Sequence, residues 1–255
     1  MPDCSSVMEP PFGGRIESLP LGEEGSLTLL LVTTGEPSGF EEVDADPVAA
    51  AVIGWVNAEA EPMPPVMVPL YGMLVVWTPR RAALGADAVR LPVVRDAVLS
   101  CSRRQAELVH IEREAESLLG TTGDDCRFGF SFSANDLAHV EHLAARHRRA
   151  VMAQIALANI ASDIRRPPPH PPTLAGQVGE RLRDRLRLTE RLESTEGKLE
   201  IAEQVYTSCG QRSSEFLIGR RQMLLEWIII LLLAAETLLL VVELLSSTSA
   251  PGGTT

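Results

Sequence analysis

Lysine is almost missing from this chain: Lys198 stands alone against 22 arginines. Cysteine is sparse as well, with Cys4, Cys101, Cys126 and Cys209 scattered and no C-x-x-C pair among them. That spacing suggests neither a zinc knuckle nor a redox dithiol, and it fits a reducing compartment. The usual catalytic signatures are absent too. Gly35 to Gly39 reads G-E-P-S-G and places Ser38 one residue late for a nucleophile elbow, while Gly120 to Gly123 (GTTG) lacks the lysine of a phosphate loop. The opening, MPDCSSVMEPPFGG, has no basic cluster leading into an apolar core, and it carries acids where a transit peptide would carry arginines. No secretory signal or transit peptide is expected.

Charge is unevenly spread. Residues 1–62 hold twelve Asp/Glu and one base, Arg15, whereas the remainder balances at 22 acids against 22 bases, so the whole net charge of −11 sits in the first quarter. An acidic segment repels nucleic acid and anionic lipid, which argues against DNA or RNA binding there and for plain solubility. Two arginine groups, Arg146, Arg148 and Arg149 and then Arg181, Arg183, Arg185 and Arg187, have the charge to meet RNA phosphates or anionic lipid heads. The first has no interleaved aromatic, and the second alternates around its helix with leucines and Asp184, so solvated faces are the favoured reading.

His139, His142 and His147 fall on one predicted helix with Glu141 among them. His139 and His142, at i and i+3, share a face on which a metal would fit, but H-V-E-H matches neither H-E-x-x-H nor H-x-x-E-H, and no general base is placed. An ordinary His/Arg face is the favoured alternative. No acid/base pair stands out; no catalytic residue, metal site or cofactor is expected.

Along the chain, Ser26–Thr33 (SLTLLLVT) has the make-up of a buried strand closed by TGEPSG, and residues 46–56 fit helix or strand. Pro62–Pro65 separates them from Val66–Trp77 (VMVPLYGMLVVW), which predicts one strand with Pro69 kinking its start. Residues 92–120 turn helical, with Gly120 as C-cap. In residues 126–132 (CRFGFSF), Phe128, Phe130 and Phe132 alternate as in a half-buried strand. Ser133 or Asn135 then caps a helix to Ile164, which ends at PPPHPP, a stiff linker over residues 167–172. From Thr173 a second helical stretch follows. Its positions Leu188, Leu192, Thr195, Leu199, Ala202, Tyr206, Cys209, Ser213 and Phe216 step by four and three, a heptad stripe diluted by small and polar residues and by Gly197 and Gly210, as suits packing on a partner helix.

Against this background stands Leu224–Leu245, LLEWIIILLLAAETLLLVVELL, with fifteen Leu, Ile or Val among 22 residues. As a helix it rises about 33 Å, enough for a hydrocarbon core of roughly 30 Å. Fifteen such residues contribute roughly −5 to −9 kcal/mol on an insertion scale, against about +3 for one acid at mid-depth, so insertion wins despite Glu236. Glu226 and Glu243 lie near the ends, where the cost falls. Arg212, Arg220 and Arg221 precede the segment and the tail 246–255 has no charged side chain, so the positive-inside rule puts residues up to Arg221 in the cytosol or the mitochondrial matrix. Glu236 and Glu243, seven apart, point the same way and Glu226 lies about 80° off. An intramembrane carboxylate needs a partner and one span offers none, so self-association or a partner membrane protein is expected. The candidate contact residues are Glu226, Trp227, Glu236 and Glu243.

The last seventy or so residues resemble the carboxyl end of the DUF155 family of RMD1- and RMND1-like membrane proteins. The residues that carry the likeness are Leu188, Lys198-Leu199, Ile201, the basic stretch before the apolar run, and above all Leu225-Glu226-Trp227-Ile228-Ile229 with Glu236 ten positions after the first glutamate. Tyr71–Trp77 resembles the family's Tyr-Gly plus apolar strand, while PPPHPP and the acidic opening depart from the pattern. The resemblance implies an α+β soluble domain, a helical hairpin and a C-terminal membrane helix without known enzymatic activity, and, in the mitochondrial relatives, support of translation by holding ribosomes near the inner membrane.

The expected class is therefore α+β. A small soluble domain with its acidic leading segment (1–166) is followed by the linker (167–172), a helical stalk (173–223), one transmembrane helix (224–245) and a short tail (246–255). The expected function is a membrane-anchored, non-enzymatic scaffold or assembly protein in a bacterial or mitochondrial inner membrane; the alternative is a membrane-tethered metal-dependent enzyme using His139 and His142.

Overall fold

The computed structural model describes residues 13–22, 25–34, 47–58, 64–166 and 170–248, the side chains of Pro47 and residues 243–248 excepted. Its contacts divide the chain into two compact units, one holding residues up to Leu119 together with Ala150–Ile201, the other Gly120–Arg149 together with Ala202 onward. The architecture is α+β: one small mixed sheet, much helix, and a long apolar helix last in sequence.

The first unit is built on a five-stranded sheet of β1 (Arg15–Pro20), β2 (Ser26–Thr33), β3 (Val66–Leu70), β4 (Met73–Trp77) and β5 (Arg81–Ala86), in the order β1-β2-β5-β4-β3. Only β2 and β5 run parallel. Strict alternation loads both faces of the centre. Leu30, Val32, Leu74, Val76 and Ala83 pack against Ala49, Val52, Trp55 and Val56 of α1 (Pro47–Asn57). On the opposite face Leu29, Leu31, Val75, Trp77, Ala82 and Leu84 are buried, and the Trp77 indole N–H donates to Ser102 Oγ on α2 (Leu91–Asp125) at 2.8 Å. A sheet covered on both faces needs apolar residues at consecutive positions, which is why β2 and β4 read as unbroken apolar runs.

The expected single strand Val66–Trp77 is corrected to a hairpin. Tyr71 (φ 49°) and Gly72 (φ 72°) both take left-handed backbone, the two-residue turn whose twist matches paired strands. Pro69 is accommodated because β3 is an edge strand. The ambiguous stretch 46–56 is helical.

Gly120 does not end α2, another correction. The helix runs to Asp125 because its buried positions continue through Leu118, Thr122 and Asp125, which outweighs the helix cost of Gly120 and Gly123, about 1 kcal/mol each. The predicted strand over residues 126–132 is instead a short helix, α3 (Arg127–Phe130), and its three phenylalanines do not share a face: Phe128 is buried, Phe130 is 84% exposed and Phe132 lies between. Ser133 is the N-cap of a short 3-10 helix and not of the long helix expected there, its N–H and Oγ both donating to Asp136 Oδ2 at 2.9 and 2.6 Å. These bonds, the side-chain one foremost, hold the Asp136 carboxyl below its ordinary range. They open a 3-10 helix (Ala134–His139) that leads into α4 (Val140–Ile164).

After the proline-rich segment, Thr173 caps α5 (Leu174–Arg185), its Oγ1 accepting from Gly176 N at 3.2 Å. The helical stretch expected from Thr173 onward is interrupted once, at Arg187, whose φ of 51° is left-handed. Helix α6 then runs unbroken from Leu188 to Thr248. In the first unit Leu188, Leu192, Thr195 and Leu199 of α6 are buried, and Arg191 forks onto Glu112 of α2 at 2.8 and 2.5 Å and onto Gln105 at 2.7 Å.

Candidate functional site

The second unit contains the feature that distinguishes this chain. Its stretch of α6 begins as a packed helix: Ala202, Tyr206, Cys209 and Ser213 are buried, and Phe216 is half-buried with its ring 5.8 Å from that of Phe132. From Leu217 to Val242 every residue is exposed. The change coincides with the change in composition, for this stretch carries Leu224, Leu225, Trp227, the run Ile228–Leu233 and Leu238–Val242, their side chains facing outward on all sides of the helix. Among the described residues α6 alone is long and apolar enough to cross a membrane.

Polar groups in the run differ in how they are satisfied. Thr237 Oγ1 donates to the carbonyl of Ala234 at 2.9 Å, which hides the hydroxyl inside the helix. Glu226 and Glu236 meet no hydrogen-bond or ion-pair partner among the described residues. Trp227 is 60% exposed beside Glu226, and the side chain of Glu243 lies outside the described residues. At the near end Arg220 and Arg221 are exposed, while Arg212 pairs with Glu215 at 2.9 Å.

His139 ends the 3-10 helix, with its ring 5.2 Å from that of Phe128, and His142 lies exposed in the first turn of α4. His147 instead approaches Thr207, Nε2 to Oγ1 3.5 Å. Among the described residues no group of three His, Cys, Asp or Glu side chains is placed to hold a metal. Two of the arginines serve the fold: Arg146 pairs with Asp125, and Arg183 donates to the carbonyls of Ile164 and Arg166 at 2.8 and 2.9 Å, closing the end of α4. GTTG lies within α2, and Ser38 lies outside the described residues.

One cluster in this unit escaped sequence reasoning. The buried Tyr206 hydroxyl lies 2.8 Å from Thr121 Oγ1 and donates to Asp125 Oδ2 at 3.2 Å, with Arg146 on the same carboxylate. Thr121 and Asp125 are one turn apart at the end of α2, a spacing that marks neighbours on a helix but does not say what faces them. Burial, the largest cause, pushes the Tyr206 phenol above its ordinary range; the Thr121 hydrogen bond works against it.

No family model, curated protein or solved structure matches this chain. The likeness to the DUF155 family thus rests on the residues quoted for it.

Proposed function

We propose that this chain is a single-pass, membrane-anchored scaffold or assembly protein of the DUF155 type, without catalytic activity, and that α6 from Leu224 to Leu245 is its anchor. One observation carries the reading: Leu217 to Val242 form an unbroken helical segment with every side chain exposed. Apolar surface of that extent is costly in water, at about 25 cal/mol for each Å², and is stable in hydrocarbon. Exposed Arg220 and Arg221 at the near end support, under the positive-inside rule, an orientation with the chain before them on the cytosolic or matrix side. Glu236, near mid-depth, meets a second span, either another copy or a partner membrane protein. Translation or complex assembly at the membrane is the setting that the resemblance adds.

Fractionation tests the anchor. The full chain is expected to stay in the pellet through alkaline carbonate and to leave it only with detergent; recovery in the supernatant without detergent overturns the proposal. Size in detergent tests the contact, with Glu236→Leu expected to reduce the assembled species to monomer. An unchanged size removes Glu236 from the contact.

A further inference from the structure

The second unit brings together two cysteines that are 83 positions apart in sequence. Cys209 is buried on α6, with its Sγ 3.5 Å from the backbone oxygen of Asp125, the residue bonded to Cys126. Gly129, whose N–H is bound to the Cys126 carbonyl at 3.0 Å, lies against the same cysteine: a Cβ built on it would sit 3.8 Å from both Cys209 Sγ and Cys209 N. Contacts on either side of Cys126 thus set the backbone that flanks it against Cys209, and closing a bridge asks for a Cα separation of about 4.4–6.8 Å. The two thiols differ in access. Cys126 is half-exposed at the junction of α2 and α3, and its Sγ donates to the Gly123 carbonyl at 3.1 Å, a contact that a χ1 rotation releases.

We propose that Cys126 and Cys209 form a reversible redox pair that closes to a disulfide in the presence of peroxide. The Cys126 thiolate attacks one peroxide oxygen, an S–O bond forms as the O–O bond breaks, and water leaves once the departing oxygen takes a proton; the sulfur is oxidised by two electrons and the peroxide reduced. Cys209 sulfur then attacks the Cys126 sulfenyl sulfur. The S–S bond forms, the S–O bond breaks, and the Cys209 proton leaves with the hydroxyl as a second water. Burial, the main cause, raises the Cys209 thiol above its ordinary range, which suits the second, resolving role rather than the first. Cys101 is a bystander, buried in the first unit with its thiol pushed up to about 11, chiefly by that burial. The bridge fastens the α2–α3 junction to α6 within one unit.

Full-length protein in detergent, treated with a small excess of hydrogen peroxide, alkylated and digested, is expected to yield a peptide pair linking Cys126 to Cys209, two hydrogens lighter than its parts and separated again by dithiothreitol. Cys209→Ser is expected to leave a Cys126 sulfenic acid that dimedone traps. Cys126→Ser, at a half-exposed position, keeps the test alive if the buried substitution does not fold, and it is expected to leave Cys209 reduced. The proposal is overturned if both cysteines of the treated wild-type protein remain fully alkylatable, or if Cys126 is recovered linked to Cys4 or to a second chain.

Discussion

Two stretches of one helix dispose of their side chains in opposite ways. Between Ala202 and Phe216, α6 is of mixed composition, with Thr207, Ser208, Gly210, Gln211 and Arg212 among its residues, yet it buries Ala202, Tyr206, Cys209 and Ser213 almost completely. Between Leu217 and Val242 it is far more apolar and buries nothing. Spacing rather than total hydrophobicity decides what a protein core accepts: a stripe at steps of three and four presents one face to a neighbour, whereas a helix apolar all round has no polar face to turn toward water. The second stretch therefore has the length and composition of a helix able to cross a membrane.

Removing residues 224–245 is the most drastic way to break this contrast. The shortened chain is expected to move wholly to the supernatant, because roughly 5–9 kcal/mol of aliphatic insertion energy goes with the deleted residues, and its thermal unfolding should match that of the full chain. Tyr206→Ala breaks the other side. It should lower the unfolding free energy by about 3–5 kcal/mol, as aromatic-to-alanine changes in cores do, while the protein remains in the pellet; equilibrium denaturation and fractionation of one preparation separate the two effects.

A gentler change sharpens the picture. Tyr206→Phe keeps the ring but leaves Thr121 and Asp125 short of a partner, for an expected loss of about 1–2 kcal/mol. It should also flatten the alkaline limb of stability. Burial holds the phenol's pKa above its ordinary 10, so above that pH the unfolded chain releases a proton that the folded chain keeps, and wild-type stability falls with rising pH until the folded tyrosine ionises. Denaturation midpoints between pH 9 and 11 should diverge between wild type and variant. The smallest effect has the opposite sign: Gly210→Ala adds a Cβ with nothing within 4 Å, and it should raise stability by about 0.5–1 kcal/mol through helix propensity, with no effect on fractionation.

Where one physical cause dominated, sequence was a good guide. The β2 run Ser26–Thr33, the stripe on α6, the helical start near Thr173 and the length of the apolar segment each follow from periodicity or simple extent. Where causes competed it was not. The Tyr71-Gly72 turn places a tyrosine in left-handed backbone, which no turn signature announces, and the alternation of Phe128, Phe130 and Phe132 imitated a strand although a helix formed. The strands Arg15–Pro20 and Arg81–Ala86 lack an obvious β pattern; half of the second is alanine, and its Ala82 and Ala83 stand between larger neighbours, Leu29 and Trp77 beside the one, Leu30 and Val76 beside the other. The site divides the same way. Glu226, Trp227 and Glu236 stand exposed on the helix that the apolar run predicted, whereas the Tyr206–Asp125 cluster and the approach of Cys209 to the backbone beside Cys126 depend on which turn of α2 faces which turn of α6, a matter of tertiary packing.

The ring contact between Phe132 and Phe216 has a mechanical corollary. Phe216 lies eight residues before Leu224 on an uninterrupted helix, so about 12 Å of rigid rod separates the last packed aromatic from the first residue of the apolar run. With that run seated in lipid as proposed, the second unit hangs on no slack tether. It stands off the bilayer at a fixed height, and any tilt of the rod in the membrane swings Phe132 and its surroundings by the same angle.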